Sequence, residues 1–161
     1  MAELWDLYDS SRKKTGVAVE RGQTIPEGSY HLVVSVWIMN SKGEFLLSQR
    51  HPDKPSPLYW ECTGGSVLAS ESSLEGAVRE VREELGQVLK PEHGRLLYQT
   101  RRDRFQDFYD VWLFYADTPV SCLRLQETEV VAARWVSRST LFTMFQKRQL
   151  HPLLNYVEQI F

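Results

Sequence analysis

The sequence predicts an α/β (α+β) fold in which a mixed β-sheet packs between helices. Strand-like segments lie on both sides of one strongly patterned central helix, and they do not alternate regularly with further helices as in a doubly wound sheet. The chain has 161 residues, 42% of them hydrophobic, which is enough for one core and too little for two. We therefore predict a single domain over residues 1–161.

The first third of the chain has the pattern of short strands. Residues 4–8 alternate apolar and acidic side chains, as a half-buried strand does, and residues 10–16 are typical of a polar turn. Residues 30–39 are rich in β-branched and aromatic side chains, and a second apolar segment covers residues 44–49. The Asn-Ser-Lys-Gly turn between them predicts that these two segments pair as a hairpin.

The central helix is the most strongly patterned element. Residues 58–62 predict a short strand that the glycines Gly64 and Gly65 end. Beyond it, Ser72 and Glu75 have the spacing of a capping box, and Gly86 supplies a C-terminal stop. Apolar residues recur between them at the three-to-four spacing of one helical face. The sequence therefore predicts a helix from near Ser72 to near Gly86.

The last third predicts three more strands and two helices. The strand-like segments cover residues 96–100, 108–116 and 130–136. Ser139 is a candidate cap for a helix over residues 140–145, and a last helix is predicted for residues 153–161.

The bulk properties exclude several classes of protein. A formal charge of −2 and a pI near 6.1 provide no field that would gather nucleic acid or an anionic membrane. The start of the chain does not resemble a signal peptide, and its longest apolar stretch, residues 32–39, is too short to span a bilayer. The two cysteines, Cys62 and Cys122, form no disulfide framework. We expect a cytoplasmic protein with a small-molecule ligand; the oligomeric state stays open, a homodimer included.

Three carboxylates share one side of the central helix. Glu80, Glu83 and Glu84 fall within an arc of about 100° away from the apolar stripe, so they are expected to form an exposed patch. Like charges at this spacing repel, and Mg²⁺ or Mn²⁺ would neutralise them with the hard oxygen ligands those ions prefer. The glycine pair before the helix would let the Gly64 carbonyl approach such a metal. A glutamate-rich face that is merely solvated is the alternative.

The residues around these glutamates resemble the Nudix box, G-x5-E-x7-R-E-U-x-E-E-x-G-U, where U is a bulky aliphatic residue. The fixed positions that match are Gly65, Glu71, Arg79, Glu80, Glu83, Glu84 and Gly86, with Val81 as the first aliphatic residue and Gln87 in place of the last. The resemblance implies the Nudix fold and a metal-activated water that attacks a diphosphate bond.

The same resemblance implies a role for each box residue. Glu80 and Glu84 are then the main metal ligands, and Glu83 ligates the metal or acts on the water. Arg79 orients the acidic cluster through charge-assisted hydrogen bonds, and Glu71 supports the junction between the loop and the helix.

Upstream of the box lie residues 30–32, 36–37, 40, 43–47 and 49–50. These residues resemble isopentenyl-diphosphate isomerase, a branch of the same family. The isomerase has a cysteine and a histidine where this chain has Gly64 and Ser66, and Cys62 lies two places too early. On a strand that shift moves the thiol by about 7 Å. His31 and Asp110 fall at or near isomerase metal positions, and structural roles for both stay open. The resemblance therefore favours a hydrolase over an isomerase.

Candidates for a general base outside the helix are acidic residues in two loops. Glu129 is the first candidate, because family members place a functional glutamate in such a loop; Glu127, Asp103 and Asp107 are the others, and Glu83 itself could serve.

The organic part of the substrate has only weak signals. The arginines of residues 101–104 are candidates for phosphate contacts or for an exposed turn. The aromatic residues that could stack on a ligand or fill the core are Trp37, Phe108, Tyr109 and Trp112.

We predict a Mg²⁺-dependent hydrolase that cleaves the diphosphate linkage of a small organic or nucleoside diphosphate. The alternatives are an isomerase-like enzyme and a non-catalytic module that binds the same kind of ligand.

Overall fold

Nine β-strands and three α-helices form the chain, and the computed structural model describes residues 1–161. The strands are β1 Leu4–Tyr8, β2 Lys14–Glu20, β3 His31–Met39, β4 Phe45–Arg50, β5 Trp60–Glu61, β6 Thr63–Ser66, β7 Arg95–Arg102, β8 Asp107–Tyr115 and β9 Val130–Val136. The helices are α1 Ser73–Leu85, α2 Arg138–Gln146 and α3 Val157–Ile160. None of these helices has the length and apolar character needed to cross a membrane.

Seven strands form one mixed sheet, and β1 and β2 form a separate antiparallel pair. The sheet has the order β5-β4-β3-β8-β7, with β6 paired to β3 and β9 paired to β4. β3 and β8 are parallel along their whole length, from His31 opposite Asp107 to Met39 opposite Tyr115. Both strands are buried on both faces, which explains why their sequences are almost continuously apolar instead of alternating.

Helices cover both faces of this sheet, and each face has its own hydrophobic core. On one face, Val81 and Leu85 of α1 pack with residues such as Val34 of β3. On the other face, Leu141 of α2 and Val157 of α3 join a second core. The predicted fold class, a mixed sheet between helices, is therefore confirmed.

The central helix forms where the sequence predicts it. The Ser72 hydroxyl accepts a hydrogen bond from the Glu75 amide at 3.2 Å, and the Glu75 carboxylate accepts one from the Ser72 amide at 2.7 Å. Gly86 ends the helix in the left-handed conformation, at φ +66°, which glycine adopts without a steric penalty. This fixed start and stop determine which residues of α1 face the sheet and which face outward.

The predicted hairpin of β3 and β4 is confirmed at its turn, but the two strands pair over a much shorter length than predicted. The turn at Asn40–Gly43 forms, with the Asn40 amide donating to the Glu44 carbonyl at 2.9 Å, but the two strands share only the Met39–Phe45 pair. The reason is competition for the edge of β3, because β6 pairs with that strand along residues 33–36. β4 diverges and pairs with β9.

Other boundaries also differ from the prediction. Gly64 and Gly65 lie inside β6 and do not end a strand. Ser137, not Ser139, caps α2, since its hydroxyl accepts a hydrogen bond from the Thr140 amide at 3.1 Å. Strand β2 begins inside the segment predicted as a turn, and the last predicted helix forms only from residue 157 to 160.

Candidate active site

A polar cleft of about 300 Å³ brings the predicted metal-binding residues together. It lies beside the outward face of α1, next to β6 and the loop that precedes β9. Its predicted members are Gly64, Glu80, Glu83, Glu84 and Glu129. The sequence separates the first and last of these residues by 65 positions, so only the fold makes them neighbours.

Arg79 connects the loop before α1 to the carboxylates on the helix. Its Nε donates to Glu71 Oε1 at 2.7 Å, and one Nη donates to Glu80 at 2.9 Å and Glu83 at 3.1 Å. The other Nη donates to the Ser66 carbonyl of β6 at 3.0 Å. Glu71 also accepts from the Leu68 amide at 3.0 Å. One guanidinium thus holds the loop, the strand and two glutamates in fixed positions.

Glu84 is a buried carboxylate without a partner. Its relative exposure is 6%, and its side chain makes no hydrogen bond or ion pair within the protein. The predicted exposed patch is therefore wrong at this residue. Burial, and then the charge of Glu80, raises the pKa of Glu84 well above its ordinary range.

Glu80 shares this environment. Burial raises the pKa of Glu80 to about 7, although the Arg79 guanidinium acts in the opposite direction. The charges of Glu83 and Glu3 contribute to the rise. Burial thus disfavours the ionised form of both neighbouring carboxylates. A cation bound between them would stabilise that ionised form.

Both glycines of β6 allow close approaches. A Cβ on Gly65 would lie 2.4 Å from Glu80 Oε1, and one on Gly64 would lie 2.4 Å from the Val34 carbonyl oxygen of β3. Any side chain at residue 65 would therefore occupy the space of the Glu80 carboxylate. Gly65 therefore allows the contact between β6 and α1, and Gly64 allows the close approach of β6 to β3.

The donor set of the cleft fits a hard divalent cation. Carboxylates and backbone carbonyls are the ligands that Mg²⁺ and Mn²⁺ prefer. No three acidic, histidine or cysteine side chains converge into a preformed metal cage. This matches the usual Mg²⁺ site, where one or two carboxylates hold the ion and the substrate phosphates and waters complete its coordination. The unpartnered Glu84 beside Glu80 is the observation that fits the ion to this position.

Comparison with known proteins gives the family. The model of the NUDIX domain matches residues 29–155. The chain belongs to the Nudix family. It is 35% identical to an uncharacterized Nudix hydrolase of Listeria monocytogenes over 161 residues, which cover 99% of this chain and 94% of that protein. The predicted resemblance to Nudix proteins is confirmed, and with it an enzyme class that acts on diphosphate and other acid-anhydride bonds.

Two further relatives support the predicted fold and branch. A Deinococcus radiodurans crystal structure superposes with a TM-score of 0.79 at 20% identity, covering 99% of each chain. The isopentenyl-diphosphate Delta-isomerase of Escherichia coli is 30% identical over 136 residues, which cover 80% of this chain and 74% of the isomerase. The isomerase is thus a distant relative within the Nudix fold.

The residues considered for isomerase chemistry lie in packed positions. Cys62 is buried, and burial raises the pKa of its thiol far above the usual range. His31 stacks on Trp5, with ring centroids 4.4 Å apart, and burial lowers its pKa. Asp110 is fully buried and accepts hydrogen bonds from Arg12 and Ser73. None of the three lies in the Nudix cleft.

Glu129 is the one loop candidate for a base that lines the cleft. It forms an ion pair with Lys54, which comes from the proline-rich loop after β4. Glu127 is exposed and does not line the cleft. Asp103 pairs with Arg101, and Asp107 with Arg102, both outside the cleft.

A second, more apolar groove of about 580 Å³ adjoins the cleft and shares Gly64, Gly65, Arg50 and Pro55 with it. Of the aromatic candidates, only Tyr109 lines this groove, whereas Trp37 and Phe108 are core residues and Trp112 donates to Ser73.

Sequence reasoning missed the exposed aromatic residue of this groove. Phe105 is 41% exposed and lies between the guanidinium groups of Arg102 and Arg104, at 5.1 and 5.6 Å. Its position directly after the arginine-rich residues 101–104 was the available signal. Arg102 donates to Asp107 and stacks on Tyr109, so it is already occupied within the protein.

Proposed function

We propose that this chain hydrolyses the diphosphate linkage of a small organic or nucleoside diphosphate in a Mg²⁺-dependent reaction. The observation that carries the proposal is the buried Glu84, which has no protein partner and lies beside Glu80 in a cleft of hard oxygen donors. A buried charge without a partner is costly, and a divalent cation would compensate it. Mn²⁺ has the same ligand preference and is expected to substitute.

The residues of the cleft would have two different roles, binding the metal and positioning its ligands. Glu80, Glu84, Glu83 and the Gly64 carbonyl would hold the metal, and Arg79 keeps Glu80 and Glu83 in position. When bound, the ion supplies charge neutralisation for the phosphates and makes a water molecule more acidic. Arg79 contributes by fixing the carboxylates before substrate arrives, so that little reorganisation is needed during the reaction.

A carboxylate must take the proton of the attacking water. Glu129 lines the cleft, and its ion pair with Lys54 holds the carboxylate in position. Glu83 is the second candidate, because it is the most exposed of the three helix carboxylates and reaches the same cleft. We assign the proton transfer to Glu129 and a ligand role to Glu83, and substitution of each separates the two.

The apolar groove next to the cleft is the place for the organic part of the substrate. Tyr109, Phe105 and Leu153 supply its apolar surface, and His151 and Arg104 lie among them. Burial lowers the pKa of His151 to about 4, so it is a neutral hydrogen-bonding group at pH 7. Such a groove accepts a flat or apolar moiety better than a second highly charged one.

The test is a screen of the purified protein for release of phosphate, pyrophosphate or a phosphate monoester such as a nucleoside monophosphate, with Mg²⁺, Mn²⁺ or EDTA. The substrates are nucleoside di- and triphosphates, nucleotide sugars, ADP-ribose, dinucleoside polyphosphates and prenyl diphosphates. We expect metal-dependent turnover of one class that is lost in Glu83→Gln and in Glu84→Gln, whereas the exposed Glu127→Gln retains it. Turnover that persists in EDTA would contradict the metal requirement.

Two other functions give different results in the same experiment. An isomerase would incorporate deuterium from heavy water into isopentenyl diphosphate without releasing phosphate. A binding module would bind a member of the panel and release nothing from it. Cys62 lines the adjoining groove, but it is buried and does not line the acidic cleft. Gly64 and Ser66 stand where the isomerase has its cysteine and histidine, which favours hydrolysis over isomerisation.

A further inference from the structure

The pair of strands β1 and β2 reaches the catalytic cleft although it lies outside residues 29–155, the part of the chain that matches the Nudix domain. Glu3, just before β1, and Arg21, just after β2, both line the cleft that contains Glu80, Glu83 and Glu84. The two ends of this strand pair are joined, because the Arg21 amide donates to the Glu3 carbonyl at 2.9 Å. The strand pair therefore places one acidic side chain, Glu3, and one basic side chain, Arg21, at the rim of the cleft.

The strand pair is held firmly against the loop that enters α1. The Ala69 amide donates to the Leu4 carbonyl at 2.7 Å, and the Ser70 amide donates to the Asp6 carboxylate at 2.8 Å. At the other end of the pair, Arg12 makes a bidentate ion pair with the buried Asp110. These contacts fix Arg21 relative to the helix that carries the glutamates.

Arg21 is the cation of the cleft with the most unused hydrogen-bonding capacity. The cleft has three basic residues, and two of them are occupied: Arg50 by Glu61 and the Pro55 carbonyl, and Lys54 by Glu129. Arg21 makes only one side-chain contact, from Nη1 to Glu3 at 3.1 Å, and its side chain is 69% exposed. Its Nε and second Nη are free to bind an anion, and the guanidinium fork matches two phosphate oxygens.

We propose that Arg21 binds a phosphate group of the diphosphate substrate, so that β1 and β2 complete the substrate site of this enzyme. The inference rests on the proposed function, since it takes the ligand to be a diphosphate. Glu3 keeps the guanidinium at the rim when substrate is absent. Substrate phosphate oxygens then provide acceptors for the two unused donor groups, with no rearrangement of the strand pair.

The test measures binding of methylenediphosphonate, which cannot be hydrolysed, by calorimetry in the presence of Mg²⁺. We expect Arg21→Ala to weaken binding by about 5- to 10-fold, a modest effect because the side chain is exposed and screened by water. Arg21→Lys retains the charge without the fork and is expected to be intermediate. Lys13→Ala is the matched control, since Lys13 lies in the turn that joins β1 and β2, is exposed and does not line the cleft.

The same measurement in the Glu3→Gln variant distinguishes direct contact between Arg21 and the ligand from an indirect effect through Glu3. If Arg21 binds the phosphate, Arg21→Ala weakens binding by a similar factor in the Glu3→Gln variant and in the wild-type protein. If the loss arises because an unpaired Glu3 repels the ligand, Glu3→Gln restores binding to Arg21→Ala, and the proposal is wrong. With the hydrolysable substrate found in the screen, we expect a higher KM with kcat within about twofold of the wild-type value.

The results for wild-type protein and for Arg21→Ala together show whether only the role of Arg21 is wrong or the proposed function is wrong as well. Wild-type protein that binds and hydrolyses a diphosphate, with Arg21→Ala equal to it, overturns only the role of Arg21. Wild-type protein that neither binds methylenediphosphonate nor cleaves the diphosphate linkage of any substrate overturns the proposed function and this inference with it.

Discussion

The Glu80 carboxylate occupies the space that a side chain on Gly65 would need, since a Cβ at that position would lie 2.4 Å from Glu80 Oε1. We expect Gly65→Ala to displace Glu80, because the end of a flexible side chain moves more readily than a strand. Stability should change little, whereas metal-dependent turnover should fall by at least about 10-fold, as expected when a ligand shifts by about 1 Å. Gly43→Ala is the control: its positive φ of 75° makes alanine costly for stability, but it lies far from the cleft. Full activity in Gly65→Ala would show that the contact is not required.

Arg79→Lys should lower activity strongly, although lysine retains the positive charge of Arg79. A lysine ammonium cannot hold Glu71, Glu80, Glu83 and the Ser66 carbonyl at once, because it lacks the planar fork that now donates to all four. We expect a decrease of kcat by about 10-fold or more and a loss of unfolding free energy of about 1–3 kcal/mol, since buried acceptors lose their donors. Kinetics and urea unfolding measure both effects. An unchanged kcat would mean that the positions of Glu80 and Glu83 do not depend on Arg79.

The stability of the metal-free protein should depend on pH through Glu80. Its folded-state pKa of about 7 lies above the ordinary value of 4.5. The folded protein therefore retains a proton that the unfolded chain loses between these pH values. The contribution of Glu80 to stability is fully present below about pH 4.5 and is lost as the pH rises through about 7.

Urea unfolding in EDTA across pH 4.5–8 measures this effect as a difference between wild-type protein and Glu80→Gln. We expect the glutamine variant to gain up to about 3 kcal/mol relative to wild type as the pH rises. The difference is used because His151, with a lowered pKa, contributes a pH dependence of the opposite sign in both proteins. Parallel curves for the two proteins would contradict the assignment.

Substitution of Glu129 tests the assignment of the proton acceptor. We expect Glu129→Gln to lower kcat by about 10²-fold, the lower range for loss of a general base, and to leave Mg²⁺ binding close to that of the wild type. Glu127→Gln, two residues earlier and exposed, should behave as wild type. If Glu129→Gln is active and Glu83→Gln is inactive with normal metal affinity, Glu83 is the base.

Phe105→Ala should affect substrate affinity more than the chemical step. Phe105 lines the apolar groove and lies outside the acidic cleft, so its loss removes contact with the organic part of the substrate. We expect KM to rise by about 5- to 20-fold with kcat within about twofold, as for one partly exposed aromatic contact. Tyr115→Ala, another exposed aromatic residue outside the groove, is the control. A drop in kcat alone would contradict this role.

The sequence by itself determined the central helix and the family of the chain. Ser72, Glu75 and Gly86 define the ends of α1 through local hydrogen bonds and backbone conformation, which depend on neighbours in sequence. The spacing of Arg79, Glu80 and the later glutamates was likewise enough to predict the Nudix family. The strands of the central sheet could be located, because long apolar segments have few other uses in a single domain.

Only the tertiary structure decided how these elements meet. The pairing of β4 with β9 follows from β6 occupying the edge of β3, a competition between strands that no local pattern records. The burial of Glu84 and the positions of Glu129 and Arg21 in the cleft all depend on contacts between distant segments. Periodicity determines which face of an element a residue occupies, whereas long-range packing determines what that face contacts.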